Sequence, residues 1–399
     1  MQPYIIEKPH LTKNFSDKFL LIESGKGSYV YDKGGKEYLD FGSGIAVNSL
    51  GYGREDLAKA AYDQMKKLIH VSNLYTTGPT VELAERLVKT GDFTAVHFGN
   101  SGSEANEAAL KYARLYGKNK KGPESVGFVS FSNGFHGRTM GSLSVTATEK
   151  YKAPFSPLLS DCVILPYNDP ESLKTIKYPQ NVAGIIVEVI QGEGGLVSLS
   201  KEMISALNSY CEKYDIILIA DEVQTGVGRT GSFFASLEAG LHADIITLAK
   251  PLAGGLPLSA TLIPAKVNDL LHPGDHGTTF GGGPVTSVVA MSVLDIIQAP
   301  GFLQDVQDKG LYLDNELNKS LKELGLRGEI LGKGLLKGLK IPSIEPEKIG
   351  QLLNSCQDQG LLVLRSGQNV IRMAPPLTIS EKELQKGVSI LFKVIKEIL

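Results

Sequence analysis

Three segments of this chain put reactive or charged side chains where an apolar run ends. In ILIADEVQTGVGRTG, residues 217–231, Asp221 closes a β-branched run. A carboxylate there is costly to bury without a cationic partner. A protonated pyridine nitrogen is such a partner, and the pair would keep a pyridine ring an effective electron sink. The plainer alternatives are a turn cap or an ion pair with an arginine such as Arg229. In DIITLAKPLAGGLPLSA, residues 244–260, Lys250 follows the run Ile245–Leu248 and precedes Pro251. Partly dry surroundings favour its neutral amine, the form that attacks a carbonyl. A lysine snorkelling out of a loop is the bland alternative. In GNSGSEANEAALKYAR, residues 99–114, Ser101, Gly102 and Ser103 precede strong helix formers. Backbone N–H groups and a helix N-terminus then converge on one point, a site suited to phosphate. Glu104 and Glu107 could instead only stabilise the helix dipole.

The elements that must position these loops are legible as short apolar runs. Ala95–Phe98, Val126–Phe131, Cys162–Leu165, Gly184–Ile190, Ile216–Ala220 and Ile245–Leu248 are near-continuous rather than alternating, as strands covered on both faces read. Helical stretches such as Ser103–Leu115 and Lys201–Tyr214 lie between them. This alternation predicts an α/β fold with a largely parallel sheet and helices on both faces. Open sheets of this kind bind ligands beyond their strand ends. The opening carries a hairpin pattern, GSYVYDKGGKEYLDF, with Gly34 and Gly35 at the turn. The end finishes in an amphipathic helix, Glu381–Ile398, with Leu384, Val388, Leu391 and Ile395 on one face. Both termini are expected to build a smaller domain: residues 1–45 and 291–399 around a large domain at 46–290.

A chain of 399 residues suits two domains. Its net charge of -2 argues against a nucleic-acid partner. Cys162, Cys211 and Cys356 are too scattered for a metal site or disulfide framework and fit a reducing compartment. No stretch is long enough to span a bilayer and no apolar leader opens the chain, so a soluble, cytoplasmic protein without membrane partners is expected. GVGRTG, residues 226–231, matches the dinucleotide pattern G-x-G-x-x-G, but four residues separate it from the strand end and GSFFASLEAG is a poor opening for a phosphate-capping helix. His272 and His276 share helical spacing, yet Pro273 and Gly274 prevent the helix, so no metal site is expected. Lys150 and Lys152, either side of Tyr151, read as solvent-facing.

Phosphate cradle, strand-end aspartate and strand-end lysine, in that order, resemble the fold-type-I pyridoxal-phosphate enzymes. Within them, the blocks DEVQTGVGRTG and LAKPLAGGLP resemble the class III (ω-) aminotransferases, and the likeness runs from YLDFGSGIAV to NVIRMAPPLTIS. The resemblance implies pyridoxal 5'-phosphate as cofactor, with Lys250 as the lysine that carries it and moves the substrate proton. It implies Asp221 at the pyridine nitrogen, Gly102 and Ser103 at the phosphate, Phe135 and Val223 on the two ring faces, and Gln224 at the phenolic oxygen. Thr279 in HGTTFGGG matches a threonine that reaches the neighbouring subunit's phosphate, which implies a homodimer with shared active sites.

The same resemblance places two carboxylate-binding arginines at Arg138 and Arg372, with Glu193 masking Arg372 while the amino donor is bound and releasing it for 2-oxoglutarate. A guanidinium fork suits both substrates because it binds carboxylates bidentately. The subgroup most similar is acetylornithine aminotransferase. Ile45 stands where ornithine enzymes carry a tyrosine, and an apolar group better accepts an acylated amine. Three positions depart from that subgroup: GYGRED from Gly51 replaces a glycine-histidine-x-histidine-proline stretch, Gly283 an asparagine, and Leu331 an arginine. Another ω-amino donor, a decarboxylase or aminomutase on the same fold, and a non-catalytic cofactor-binding regulator are the alternative readings.

Overall fold

The computed structural model of the chain describes residues 1–7, 11–16 and 18–399. It divides into two compact units, Asp56–Leu303 and a second unit of Met1–Glu55 with Gln304–Leu399. The expected boundaries at 45/46 and 290/291 lie ten or so residues short of these. Helix Pro284–Ile297 packs on helix Gly78–Val88, which holds it in the large unit.

The large unit is built on a seven-stranded sheet. Its strands are β1 (Ala95–Gly99), β2 (Gly127–Phe131), β3 (Cys162–Leu165), β4 (Val182–Val187), β5 (Ile217–Asp221), β6 (Ile245–Leu248) and β7 (Ser259–Ile263). Their order across the sheet is β1-β7-β6-β5-β4-β2-β3. The pairs among β2 to β6 are parallel, whereas β7 runs antiparallel to both β6 and β1. The α/β class and mostly parallel sheet are therefore as the sequence predicts, and β7 is a strand beyond the six apolar runs named there. β2, β4, β5, β6 and β7 are buried along their whole length, which is why their sequences are continuous rather than alternating.

Helix α1, Gly102–Lys121, crosses this sheet. Its buried face is largely alanine: Ala108, Ala109 and Ala113 pack with Phe128, Ile186, Ile219 and Ile245. Small side chains let the helix lie close to the strands, and Gly184 continues that logic, since a Cβ there would stand 3.0 Å from Ala113 Cβ. A Ser101–Glu104 capping box fixes where the helix begins. The segment Gly226–Gly231 forms turns, and the next helix has only five residues, Ala235–Ala239.

The second unit holds two four-stranded sheets. Strands Tyr29–Asp32 and Glu37–Asp40 form the expected hairpin, with Gly35 in the left-handed region. The Asp32 carboxylate accepts from the backbone N–H of Gly34 and Lys36 and so ties the turn. Helix Glu381–Ile398 buries Leu384, Val388, Leu391 and Ile395 as its pattern requires.

Gly387 in that helix faces the ring of the fully buried Phe41, where an added Cβ would overlap it. Glycine to alanine in a helix interior ordinarily gains about 0.5–1 kcal/mol; overpacking costs about 1–3 kcal/mol. Gly387→Ala should therefore lower the thermal midpoint. A raised midpoint would show that Phe41 yields without cost.

Candidate active site

Five strand ends of the large unit open on one cavity of about 180 Å³. The loop after β1 brings Ser101, Gly102, Ser103 and, one turn into α1, Asn106. The loop after β2 brings Phe135 and His136, and that after β4 brings Glu188 and Glu193. Asp221 ends β5, with Val223 and Gln224 just beyond, and Lys250 lies two residues past the end of β6. Eight of the residues implied by the resemblance thus line one space: Gly102, Ser103, Phe135, Glu193, Asp221, Val223, Gln224 and Lys250.

Asp221 is buried, and its partners solve the problem its burial poses. Asn106 Nδ2 donates to Asp221 Oδ2 at 2.8 Å, and His136 Nδ1 meets the same oxygen at 2.8 Å. The N–H of Val223 donates to Oδ1 at 3.1 Å. Asn106 is itself fixed: its Nδ2 also donates to the carbonyl of His136 at 2.7 Å, and its Oδ1 accepts from Thr247 Oγ1 at 2.8 Å. An amide with both donors and its acceptor engaged holds one orientation. Both carboxylate oxygens of Asp221 are engaged by this network.

Burial works against a charged His136, but the hydrogen bond and charge of Asp221, aided by Glu188, raise its pKa overall. Burial pushes the Glu188 carboxyl up to about 7, with the charge of His136 opposing and that of Asp221 adding. Glu188 accepts from the N–H of Phe135 at 2.9 Å and of Gly192 at 3.0 Å, which orders the loops on either side. Asn106, His136 and Glu188 were not singled out from the sequence. His136 directly follows Phe135 in NGFHGRT, and that adjacency is the one signal that could have found it.

The phosphate cradle is also formed. Ser101 Oγ accepts from the N–H of Glu104, and Glu104 reaches back to the N–H of Ser101. The N–H groups of Gly102 and Ser103 remain in the first turn, where no intrahelical carbonyl reaches them. A Cβ at Gly102 would stand 2.6 Å from Val223 Cγ1, so this wall tolerates only glycine beside that valine. Glu107 caps a different helix: its Oε1 accepts from the N–H of Gly141 at 2.8 Å. Anion cradle, amine and buried carboxylate around one cavity fit a phosphorylated pyridine aldehyde.

Four residues lie elsewhere. Arg138, exposed, follows Gly137 of the cavity wall. Thr279 is exposed and lines a separate cavity of about 50 Å³ with residues of the 281–284 turn. Ile45 and Arg372 belong to the other unit. Arg372 is buried in strand Val370–Met373, paired with Gly338 and Leu364. Ile45 sits in a run of left-handed residues, with φ of 47° at Ser43, 63° at Gly44, 62° at Ile45 and 64° at Ala46. That conformation costs a non-glycine residue about 1–2 kcal/mol. Asp40 holds the run: its Oδ1 accepts from the N–H of Gly42 and Ser43, and its Oδ2 from Tyr52 OH at 2.6 Å. The Ile45 side chain is left 45% exposed, an apolar group at a strained position.

The raised His136 carries a pH consequence. Its stabilisation of the fold is complete below its ordinary value of 6.5 and is lost as pH rises through the higher folded value. Nuclear magnetic resonance of ring-labelled histidine should find one imidazole titrating above 6.5, and that value should fall in Asp221→Asn. A His136 signal at or below 6.5 in the native protein would contradict the pairing.

The family model for class-III aminotransferases matches residues 11–395. The chain is 44% identical over 381 residues to the mitochondrial acetylornithine aminotransferase of Alnus glutinosa, covering 94% of this chain and 83% of that protein. Among solved structures it is similar to the ornithine aminotransferase of Toxoplasma gondii, with a TM-score of 0.91 and 29% identity over 98% of this chain and 93% of that one. It is likewise similar to the N-acetylornithine aminotransferase of Stenotrophomonas maltophilia, with a TM-score of 0.83 and 31% identity over 94% and 95%. The chain belongs to the class-III aminotransferases and is a pyridoxal-phosphate-dependent aminotransferase.

Proposed function

We propose that this enzyme transfers the terminal amine of N2-acetylornithine to 2-oxoglutarate, giving N-acetylglutamate semialdehyde and glutamate, a step of arginine biosynthesis. The observation that carries the choice of donor is Ile45, an apolar side chain presented by a strained turn. An acylated amine has lost the charge that such a surface disfavours. The relative from Alnus glutinosa, named for the same donor, supports this reading.

When bound, pyridoxal phosphate supplies the carbonyl that takes up the amine and the ring that spreads the electrons of the broken C–H bond. Lys250 would hold the cofactor and, as base, move the proton at the substrate carbon. Asp221 keeps the pyridine nitrogen protonated. The N–H groups of Gly102 and Ser103 hold the phosphate, Phe135 and Val223 bracket the ring, and Gln224 bonds the phenolic oxygen. Arg138 takes the carboxylate that both substrates present. Arg372 takes the second carboxylate of 2-oxoglutarate once Glu193 releases it.

The reading includes a cytoplasmic homodimer. Thr279 lines a cavity other than that of Lys250, as a residue serving a second copy's phosphate would. Beside it Phe280 is 68% exposed, and Met65, Ile69, Leu74 and Tyr75 are also exposed, apolar side chains that a second copy could cover. The three cysteines form no disulfide, in keeping with a reducing compartment.

The absorbance of the bound cofactor tests the donor. Mixed singly with the holoenzyme, N-acetylornithine should convert the pyridoxal band to the pyridoxamine band fast, and ornithine, succinylornithine and 4-aminobutyrate slowly. Ile45→Tyr should cost N-acetylornithine about tenfold or more in kcat/KM. A wild-type preference for one of the other amines would overturn the donor while leaving the family untouched.

A further inference from the structure

Arg138 is exposed, yet its guanidinium is not loose: Cζ lies 3.5 Å from the centroid of the Tyr151 ring. That is a van der Waals stacking distance. An edge-on guanidinium would drive its nitrogens into the ring, so the two planes lie face to face. Phe135 adds a second aromatic neighbour, its centroid 5.6 Å from the same Cζ. Tyr151 and Phe135 also meet each other edge to face, at 6.4 Å and 87°. Phe135 lines the Lys250 cavity, so one tyrosine touches both a wall of that cavity and the arginine beside it.

Tyr151 is itself held in place. It lies in the one-turn helix Glu149–Lys152, and its N–H donates to the carbonyl of Thr148 at 3.0 Å. Lys152 Nζ donates to the carbonyl of Ser144 at 3.2 Å, which ties this turn to helix Met140–Val145. Lys152 is therefore half-buried rather than solvent-facing as the sequence suggested, while Lys150 is exposed. At its other end, the N–H of Arg138 donates to Ser103 Oγ at 3.1 Å.

A guanidinium stacked by its face keeps its N–H donors in the plane, pointing away from the ring. Only rotation within that plane is left to it, so the fork that grips a carboxylate is pre-oriented. We propose that Tyr151 is a positioning residue for the substrate carboxylate, acting through Arg138. The aromatic face does this, not the phenolic hydroxyl. The choice of ligand rests on the reading of the previous subsection.

Three probes test this on the holoenzyme. The first is N-acetylornithine. The second is N-acetylputrescine, which keeps the reacting amine and acetamide but lacks the carboxylate. The third is N-acetylnorvaline, which keeps carboxylate and acetamide but lacks the amine and is followed by calorimetry. In Tyr151→Leu, KM for N-acetylornithine and Kd for N-acetylnorvaline should rise by about three- to thirtyfold, the range of a stacked cation. The kcat with N-acetylornithine and the half-reaction with N-acetylputrescine should stay as in the wild type. Tyr151→Phe should behave as wild type. An unchanged KM in Tyr151→Leu, an equal loss with N-acetylputrescine, or a Tyr151→Phe as poor as Tyr151→Leu would each overturn the proposal. A wild type that leaves N-acetylornithine unconverted would instead overturn the donor, and the calorimetry with N-acetylnorvaline separates the two failures.

Discussion

The structure of this site depends on burying one carboxylate with its hydrogen bonds satisfied. Asp221 ends the central strand of the large sheet with almost no contact with water. Left alone, such a group would take up a proton or push the local fold apart. Asn106 from the helix and His136 from the loop after β2 meet it on one oxygen, and Thr247 from β6 fixes Asn106 in turn. Three separate segments are thus tied to the end of one strand. The same contacts anchor the helix that begins at the phosphate cradle and the loop that carries Phe135, beside the cavity that Lys250 also lines. A cationic partner brought to this carboxylate would find it already held in one orientation, with little reorganisation left to do.

Much of this was legible in the sequence, for reasons that can be named. A charge at the end of an apolar run marks a strand's last residue, which is how Asp221 and Lys250 stood out. The helix after Ser101–Ser103 stood out by its run of helix formers, although the Ser101–Glu104 capping box that fixes its start emerges only in the structure. Strand β7 was not legible. It follows Gly254, Gly255 and Pro257, and its Ser259 and Thr261 look like loop residues; in the fold Thr261 donates to the carbonyl of Ala105, which satisfies its hydroxyl inside. Asn106 and His136 were invisible for another reason. They matter only because chain segments 115 and 85 residues from Asp221 come together there, and no local pattern records that meeting. Tyr151, set between lysines in a single helical turn, reads as solvated until Arg138 is found on its face.

The second unit holds Ile45 in a strained turn. Four consecutive left-handed residues around Ile45 are an arrangement that β-branched chains avoid. Asp40 and Tyr52 hold that turn through hydrogen bonds at both carboxylate oxygens. A turn so constrained keeps the backbone at position 45 in one place.

In the function proposed above, Lys250 is the residue to which the cofactor is joined. Borohydride reduction of the holoenzyme followed by proteolysis and mass spectrometry tests it directly. A phosphopyridoxyl group is expected on the peptide containing Lys250, and none in Lys250→Ala. A label on a different lysine, or a wild-type protein that takes up pyridoxal phosphate and yields no labelled peptide, would contradict it.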